Sequence, residues 1–85
     1  MAVTPAQSRA ARGMLDWSQT ELAQRSNLSE STIRDFEKGR RVPSVNNLAA
    51  VRRAFEDAGL IVIDENGEGP GVRLRKAPEA KADEE

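Results

Sequence analysis

Apolar side chains recur at the spacing of an α-helix along residues 1–59, and polar residues that can cap helices separate the apolar runs. The first start signal is Thr4-Pro5, where a capping hydroxyl precedes a proline suited to the first helical position. In the helix that follows, one apolar stripe is predicted to face the core, and the polar residues to face elsewhere. The stripe is Ala6, Ala10 and Met14, and the polar residues are Gln7, Ser8 and Arg12.

Two further helices are predicted with only a short turn between them. Ser18 begins an S-x-x-E capping box, so a second helix is predicted from about Gln19 to Ser26. Asn27-Leu28 forms the turn. Ser29 then caps a third helix that runs to about Lys38, and Gly39 supplies the left-handed residue that commonly ends a helix.

A fourth helix is predicted after Pro43-Ser44 and is closed by Gly59. Its apolar residues recur at helical spacing and form a stripe for the core. They are Val45, Leu48, Val51, Phe55 and Ala58.

The pattern changes after residue 59. Leu60–Ile63 is a short, apolar, β-branched run, and Val72–Arg75 alternates apolar and basic residues, as strands do. We predict a β-hairpin over residues 60–76 with a loop of about seven residues. Residues 77–85 are acidic, rich in alanine and without periodicity, which predicts a disordered tail. Residues 1–59 are then the helical domain.

Composition removes several classes of function. The chain has no cysteine and no histidine, and so lacks disulfides, thiol nucleophiles, the usual zinc ligands and the commonest general base. The glycine-rich residues 67–71 do not form a phosphate loop, because no Lys-Ser/Thr follows and the next predicted element is a strand. We therefore expect no enzyme, no metal and no cofactor. No apolar run is long enough to span a bilayer, and a cytoplasmic location fits the absence of cysteine.

The net charge of −1 conceals two halves of opposite sign. Residues 1–55 carry nine basic and five acidic residues, whereas residues 56–85 carry four basic and nine acidic ones. The predicted helices are therefore basic overall, which suits a polyanionic partner. A solvated acidic tail would by itself produce half of this asymmetry.

The third predicted helix presents different groups on its two sides. At about 100° per residue, Ile33 and Phe36 lie together on the inward side. The outward side carries Ser31, Arg34, Asp35 and Lys38, with Thr32 at its edge and Glu30 in the first turn. Because the DNA major groove displays donors, acceptors and a methyl group in sequence-specific patterns, such a mixed face suits base recognition. The alternative is a solvated helix face with an Arg34–Asp35 contact.

Groups that flank this helix are placed to contact the DNA backbone. Gln19 begins the second helix, two arginines follow the third, and the helix N-termini add backbone donors. The residues predicted to contact phosphate are Gln19, Ser29, Lys38, Arg40, Arg41, Asn46 and Asn47.

The stretch W-S-Q-T-E-L-A-Q, followed by L-S-E-S-T-I-R-D-F-E-K-G-R-R-V-P, resembles the Cro/phage-repressor (XRE) class of helix-turn-helix regulators over Thr4 to Ala58. The resemblance implies a mainly α fold, a compact bundle of four or five helices, with Ser29–Lys38 as recognition helix. It also implies that Arg12 and Glu37 form a structural ion pair. The positions that it makes base-facing are Glu30, Ser31, Thr32, Arg34 and Asp35.

Two of these positions depart from the family pattern, because Glu30 and Asp35 are acids where the family often has amides. A carboxylate can accept from cytosine, so either cytosine recognition or repulsion of other sequences would follow. The turn also holds Asn27 where the family commonly has a smaller residue.

The leading hypothesis is a sequence-specific, double-stranded DNA-binding transcriptional regulator that acts as a homodimer. The alternative is a protein-interaction module, antitoxin-like or an antiactivator, which uses the same helical fold to hold a protein partner. The hairpin either packs on its own bundle, pairs with a second copy, or does both, and we favour dimerisation because operator palindromes mirror a protein two-fold. The predicted dimer contacts are Leu60, Ile61, Val62, Ile63, Val72 and Leu74.

Overall fold

A computed structural model describes residues 2–75, and the tail predicted over residues 77–85 lies outside the described residues. Four helices precede an antiparallel two-stranded hairpin, which confirms the predicted mainly α fold and its C-terminal hairpin. The elements are α1 (Pro5–Leu15), α2 (Gln19–Ser26), α3 (Glu30–Glu37), α4 (Val45–Asp57), β1 (Leu60–Ile63) and β2 (Gly71–Leu74). Within residues 2–75 no helix combines the length and the apolar character needed to cross a bilayer.

Each helix begins at a hydroxyl side chain that accepts a hydrogen bond from the backbone N–H three residues later. These caps are Thr4, Ser18, Ser29 and Ser44. The capping box predicted at Ser18 is only half formed, because the Glu21 carboxylate turns to Arg25 instead of the cap N–H. A complete box lies at α1, where Gln7 Oε1 accepts from the Thr4 N–H at 2.8 Å.

Left-handed residues make the two turns that join the first three helices. Asp16 ends α1 with φ 59°, and Asn27 ends α2 with φ 61°. Asparagine and aspartate tolerate this conformation better than most residues, which is why a short turn without glycine is possible here. The tight α2–α3 turn fixes the relative position of the two helices.

The face that α1 turns to the core differs from the predicted one. Ala6 and Ala10 are exposed and Met14 is 41% exposed, whereas Gln7 and Ser8 are buried. Burial of these two polar side chains is tolerated because both are hydrogen-bonded. Gln7 Nε2 donates to the carbonyls of Ile63 and Gly71 at 2.8 and 3.0 Å, and Ser8 donates to Glu37.

The core lies between the helices and the inner face of the hairpin. Its buried apolar residues are Val3, Ala11, Leu22, Ala23, Ile33, Phe36, Leu48, Val51, Ala54, Phe55, Leu60 and Val62. In α4 the predicted stripe is wrong at Val45, which is 81% exposed because it lines an open groove with Ala2 and Ala49, and Ala54 is buried although it was not predicted. Trp17 stacks on Phe55 with ring centroids 5.9 Å apart, at the edge of this core.

The hairpin packs on its own bundle, against α1 and α4. Val62 pairs with Val72 and Ile61 with Arg73, and the connecting loop is the predicted seven residues, 64–70. Leu60 and Val62, both predicted as dimer contacts, are buried in the core of their own chain, so neither is accessible to a second copy. Successive strand residues face opposite sides, so Ile61 and Ile63 lie on the outer face and are half-buried.

Arg52 joins the hairpin to α4. Its guanidinium donates to the Val62 carbonyl at 3.0 Å, to Asp64 at 2.9 Å and to Glu56 at 3.0 Å. The two carboxylates raise the pKa of Arg52, chiefly through their hydrogen bonds. The bond to Val62 satisfies a carbonyl on the outer edge of β1, which is otherwise a site for pairing with another strand.

Candidate nucleic-acid interface

The carboxylate of Glu37, at the last position of α3, is buried and receives hydrogen bonds from α1 and α2. Arg12 contacts both of its oxygens, with Nη2–Oε1 at 2.7 Å and Nε–Oε2 at 2.9 Å. Ser8 donates to Oε2 at 2.5 Å, and Gln19 Nε2 donates to Oε1 at 3.1 Å. Side chains from the first three helices therefore meet at one charge, and their hydrogen bonds set the orientation of α3.

The pKa of Glu37 is held below its ordinary value by these partners. Burial alone would raise the pKa, because it disfavours the charged carboxylate. Hydrogen bonds from Arg12, Ser8 and Gln19, together with the positive charge of Arg12, outweigh burial and lower it. In the same pair, the hydrogen bond to Glu37 raises the pKa of Arg12. Both groups are therefore charged at neutral pH, and their role is structural.

The outer side of α3 presents polar groups to solvent. Glu30, Ser31 and Arg34 are exposed, and Thr32 and Asp35 are half-buried. Arg34 and Asp35 form no ion pair with each other, and neither has a side-chain partner within residues 2–75. All five residues predicted to face bases therefore retain some exposure to solvent, and among residues 2–75 the charged groups of Arg34 and Asp35 have no side-chain partner.

Glu30 is held in place by α2. The Thr20 hydroxyl donates to the Glu30 carboxylate, across the turn that joins the two helices. This contact was not apparent from the sequence, because the residues are ten positions apart. It fixes a negative charge beside the N-terminus of α3, which the helix dipole favours.

Three hydroxyl groups and one guanidinium form a chain of hydrogen bonds at the N-terminus of α3. Arg41 Nη1 contacts Thr32 Oγ1 at 3.1 Å, and Thr32 Oγ1 lies 2.7 Å from Ser29 Oγ. Ser29 Oγ in turn lies 3.2 Å from Ser31 Oγ and accepts from the Thr32 N–H at 3.1 Å. We call Arg41, Thr32, Ser29 and Ser31 the hydroxyl relay. It brings Arg41, which follows α3 in the chain, back over the first turn of that helix.

The residues predicted to contact phosphate differ in their exposure and in their hydrogen-bond partners. Lys38 and Arg40 are exposed and have no side-chain partner in the described part of the chain. Gln19 uses one amide hydrogen on Glu37, which leaves its second available. Asn46 is exposed and Asn47 is half-buried, both in the first turn of α4. Arg9, which the sequence did not single out, donates to the Glu37 carbonyl and adds a further cation near the C-terminus of α3.

Comparison with known proteins agrees with this geometry. Residues 9–56, more than half of the 85, match a family model described as Helix-turn-helix. The match begins within α1 and ends within α4, and it contains the turn between α2 and α3. A search of curated protein sequences found no match.

Proposed function

Since the chain belongs to the XRE-type helix-turn-helix family of DNA-binding regulators, we propose that it is a sequence-specific transcriptional regulator that binds double-stranded DNA. The recognition element in this proposal is Ser29–Lys38, which is α3 with its N-cap and C-cap residues, inserted into the major groove. The cytoplasm is the location that we expect.

The observation that carries this proposal is the exposed, mixed face of α3 on a helix whose other side is fixed. Arg34 and Asp35 have no side-chain partners among residues 2–75. Glu37, on the same helix, is hydrogen-bonded to Arg12 of α1 and to Gln19 of α2. A rigid helix with free donors and acceptors suits base recognition, because a contact made by a preorganised group loses less entropy on binding. Arginine can bind guanine in a bidentate manner, and aspartate can accept from cytosine.

Affinity in this proposal comes from cations next to α3. Lys38, Arg40 and Arg41 are exposed, and cations that neutralise phosphates release counterions, so binding weakens steeply with salt. Backbone contacts set position and base contacts set sequence preference. Mutation of a phosphate-contacting residue should therefore lower affinity for all sequences, whereas mutation of a base-contacting residue should change sequence preference.

We further propose that the protein acts as a homodimer through the outer face of the hairpin. Because Leu60 and Val62 are buried in their own chain, the proposed contact is carried by Ile61 and Ile63, and Leu74, which pairs with Leu60, is 60% exposed but lies on the other face of the hairpin. A two-fold dimer would place its two copies of α3 on half-sites about 34–36 Å apart.

Fluorescence anisotropy with labelled duplexes tests DNA binding. A sequence selected from a random duplex pool should bind with an affinity that falls linearly in log[salt]. Arg34→Ala should lose about 1–3 kcal/mol on the selected sequence and relax preference at one base pair. Binding without salt dependence would refute the proposal. Uniform weakening on all sequences would reassign Arg34 to a phosphate.

A protein-interaction module is the second candidate, and an exposed apolar groove on α4 favours it. Ala2, Val45, Leu48 and Ala49 line this groove, and Val42 nearby is 88% exposed. Exposed apolar patches commonly mark protein-binding sites. Co-purification of a stoichiometric protein, combined with no duplex affinity at moderate salt, would favour this candidate over DNA binding.

A further inference from the structure

The two edges of the hairpin differ in what covers them. In an antiparallel pair, every second residue directs its N–H and C=O groups away from the partner strand. The Arg75 N–H donates to the Gly59 carbonyl at 2.8 Å, which fixes this alternation along both strands. On β1 the outward carbonyl of Val62 accepts from Arg52 of α4 at 3.0 Å. The edge of β1 is therefore covered in part by the chain's own helix.

The edge of β2 is uncovered. Val72 and Leu74 direct their N–H and C=O groups away from β1, and within residues 2–75 these groups have no hydrogen-bond partner. A groove lies beside this edge, between β2 and α1, and the exposed residues Ala6 and Ala10 line its α1 side. Because alanine carries only a methyl group, α1 leaves space next to β2. An unpaired edge of this kind is a template for another strand.

The charges of β2 favour one kind of added strand. Arg73 and Arg75 lie on the outer face, are exposed, and have no side-chain partner in the described part of the chain. Residues of an added strand opposite Val72 and Leu74 would face α1, and those opposite the arginines would face solvent. Since opposite charges across a strand pair stabilise it and like charges destabilise it, the outer residues should be acidic. The inner residues should be apolar, because they cover the α1 groove.

A second copy of β2 fits this edge poorly. A two-fold antiparallel pair centred on Arg73 places that arginine opposite its own copy, and a pair centred on Leu74 places Arg73 opposite Arg75. Both arrangements set like charges against each other. A pair centred on Val72 brings Leu74 opposite Pro70, which has no N–H to donate to the Leu74 carbonyl.

We propose that the edge of β2 binds an extended segment of another protein, in which acidic and apolar residues alternate, as an added strand. Main-chain hydrogen bonds to Val72 and Leu74 hold this segment, and its carboxylates pair with Arg73 and Arg75. Its apolar side chains pack over the two exposed alanines of α1. Recognition by strand addition takes its affinity from the main chain and its specificity from alternate side chains. None of these residues belongs to α3, so the proposal does not depend on DNA binding.

The test titrates the full chain with short, end-blocked synthetic peptides and follows the backbone amides by NMR. A peptide that alternates glutamate with valine should bind, and the amide hydrogens of Val72 and Leu74 should become protected from exchange. A peptide with lysine in place of glutamate should bind about 10-fold more weakly or not at all.

Backbone N-methylation of the glutamate–valine peptide tests strand pairing directly. An added strand directs only every second residue's N–H toward β2. Methylation of one alternate set of residues should therefore abolish binding, whereas methylation of the other set should leave it unchanged. Loss on methylation of the valines indicates an antiparallel added strand, and loss on methylation of the glutamates a parallel one.

Variants of β2 provide the matched controls. Leu74→Pro removes an N–H that the β1–β2 ladder does not use and should weaken peptide binding by about 3- to 10-fold. Leu74→Val keeps that N–H and should bind as wild type does. Arg73→Glu combined with Arg75→Glu should reverse the preference toward the lysine peptide. Thermal unfolding checks that each variant is folded, and the methylated peptides decide the question even where a variant is not.

Three results would overturn the proposal. The first is that no peptide binds, and the second is equal binding of the glutamate and lysine peptides. The third is an equal effect of both N-methylation patterns, which would mean that the peptide is not held as a strand. If the Val72 and Leu74 amides of the protein alone become protected as its concentration rises, the edge instead pairs with a second copy, and the proposed occupant is wrong.

Discussion

Arg12 of α1 and Glu37 of α3 are joined by two parallel charge-assisted hydrogen bonds, 2.7 and 2.9 Å long, on a carboxylate that is almost wholly buried. Parallel bonds of this kind constrain orientation as well as distance. Because Gln19 of α2 contacts the same carboxylate, the pair also determines how the two helices of the motif lie against α1. The polar face of α3 that we propose to contact DNA is thus oriented by a buried charge at the C-terminal end of the same helix.

Replacement of Glu37 by glutamine should destabilise the protein strongly. The change leaves the Arg12 guanidinium, 20% exposed, without its carboxylate, and loss of one partner of a buried pair typically costs about 3–5 kcal/mol. Urea denaturation measures the effect. The control is Glu21→Gln, which breaks the exposed i,i+4 pair with Arg25 and should cost about 0.5 kcal/mol or less. Similar losses in both variants would contradict a structural role for the Arg12–Glu37 pair.

Glu37 should also contribute to loss of stability in acid. Its folded-state pKa lies below the ordinary value of 4.5, so between these two values the unfolded chain binds the proton more readily. The contribution is therefore fully present above the unfolded value and is lost as the pH falls through the folded one. The unfolding free energies of wild type and Glu37→Gln, measured from pH 7 to pH 2.5, should converge as the pH falls. A constant difference would show that the Glu37 pKa is not lowered by folding.

Gln7 should hold the hairpin against α1. Its Nε2 donates to the carbonyls of Ile63 and Gly71 and its Oε1 accepts from the Thr4 N–H, so Gln7→Ala removes three hydrogen bonds and should cost about 1–3 kcal/mol. Amide hydrogen exchange should speed up in β1, in β2 and at the start of α1, because the hairpin loses its bonds to α1 and Thr4 loses its capping-box partner, while α2, α3 and α4 keep their contacts. Gln24→Ala, at an exposed position on α2, is the control and should leave exchange unchanged. Faster exchange throughout the chain would instead indicate global destabilisation.

The helix boundaries were predictable from sequence because the residues that start and end a helix act through their own side chains or backbone. Thr4, Ser18 and Ser29 have the chemistry of a cap, and Gly39 and Gly59 mark the ends of α3 and α4 through their backbone freedom. The Ile33–Phe36 side of α3 was also assigned correctly, since both residues are apolar and nothing competes with them for the core. In α3 the hydrophobic periodicity and the capping residues therefore predict the same helix with the same buried side.

The orientation of α1 could not be obtained in this way. Periodicity favours Ala6, Ala10 and Met14 for the core, but alanine offers little apolar area to bury, and Gln7 and Ser8 have partners 29 to 64 positions away. Those partners exist only once the hairpin and α3 have packed. The hydroxyl relay was hidden for a related reason, since Arg41 returns to Thr32 only through the turn at Gly39.

Arg40 should contribute affinity without sequence preference. It is exposed and without a side-chain partner among residues 2–75, as expected for a phosphate contact. Arg40→Ala should weaken binding to all duplexes alike and lower the slope of log K against log[salt] by about 0.9, the value for one phosphate. Arg53→Ala removes the same charge from an exposed position of α4 outside the predicted contacts, and its slope should match wild type. Equal slopes for both variants would place Arg40 outside the interface.

The outer face of the hairpin should determine the oligomeric state. Ile61 is half-buried opposite Arg73, so Ile61→Lys leaves the core intact but puts a charge into the proposed contact. Light scattering should then give the mass of a monomer, whereas wild type gives that of a dimer. Asn66→Lys adds the same charge in the exposed hairpin loop and should remain dimeric. Val62→Lys, in contrast, buries a charge in the core and should unfold the chain, because an unpaired buried charge is costly. A wild-type monomer, or a dimer that survives Ile61→Lys and Ile63→Lys together, would show that the hairpin does not join two copies.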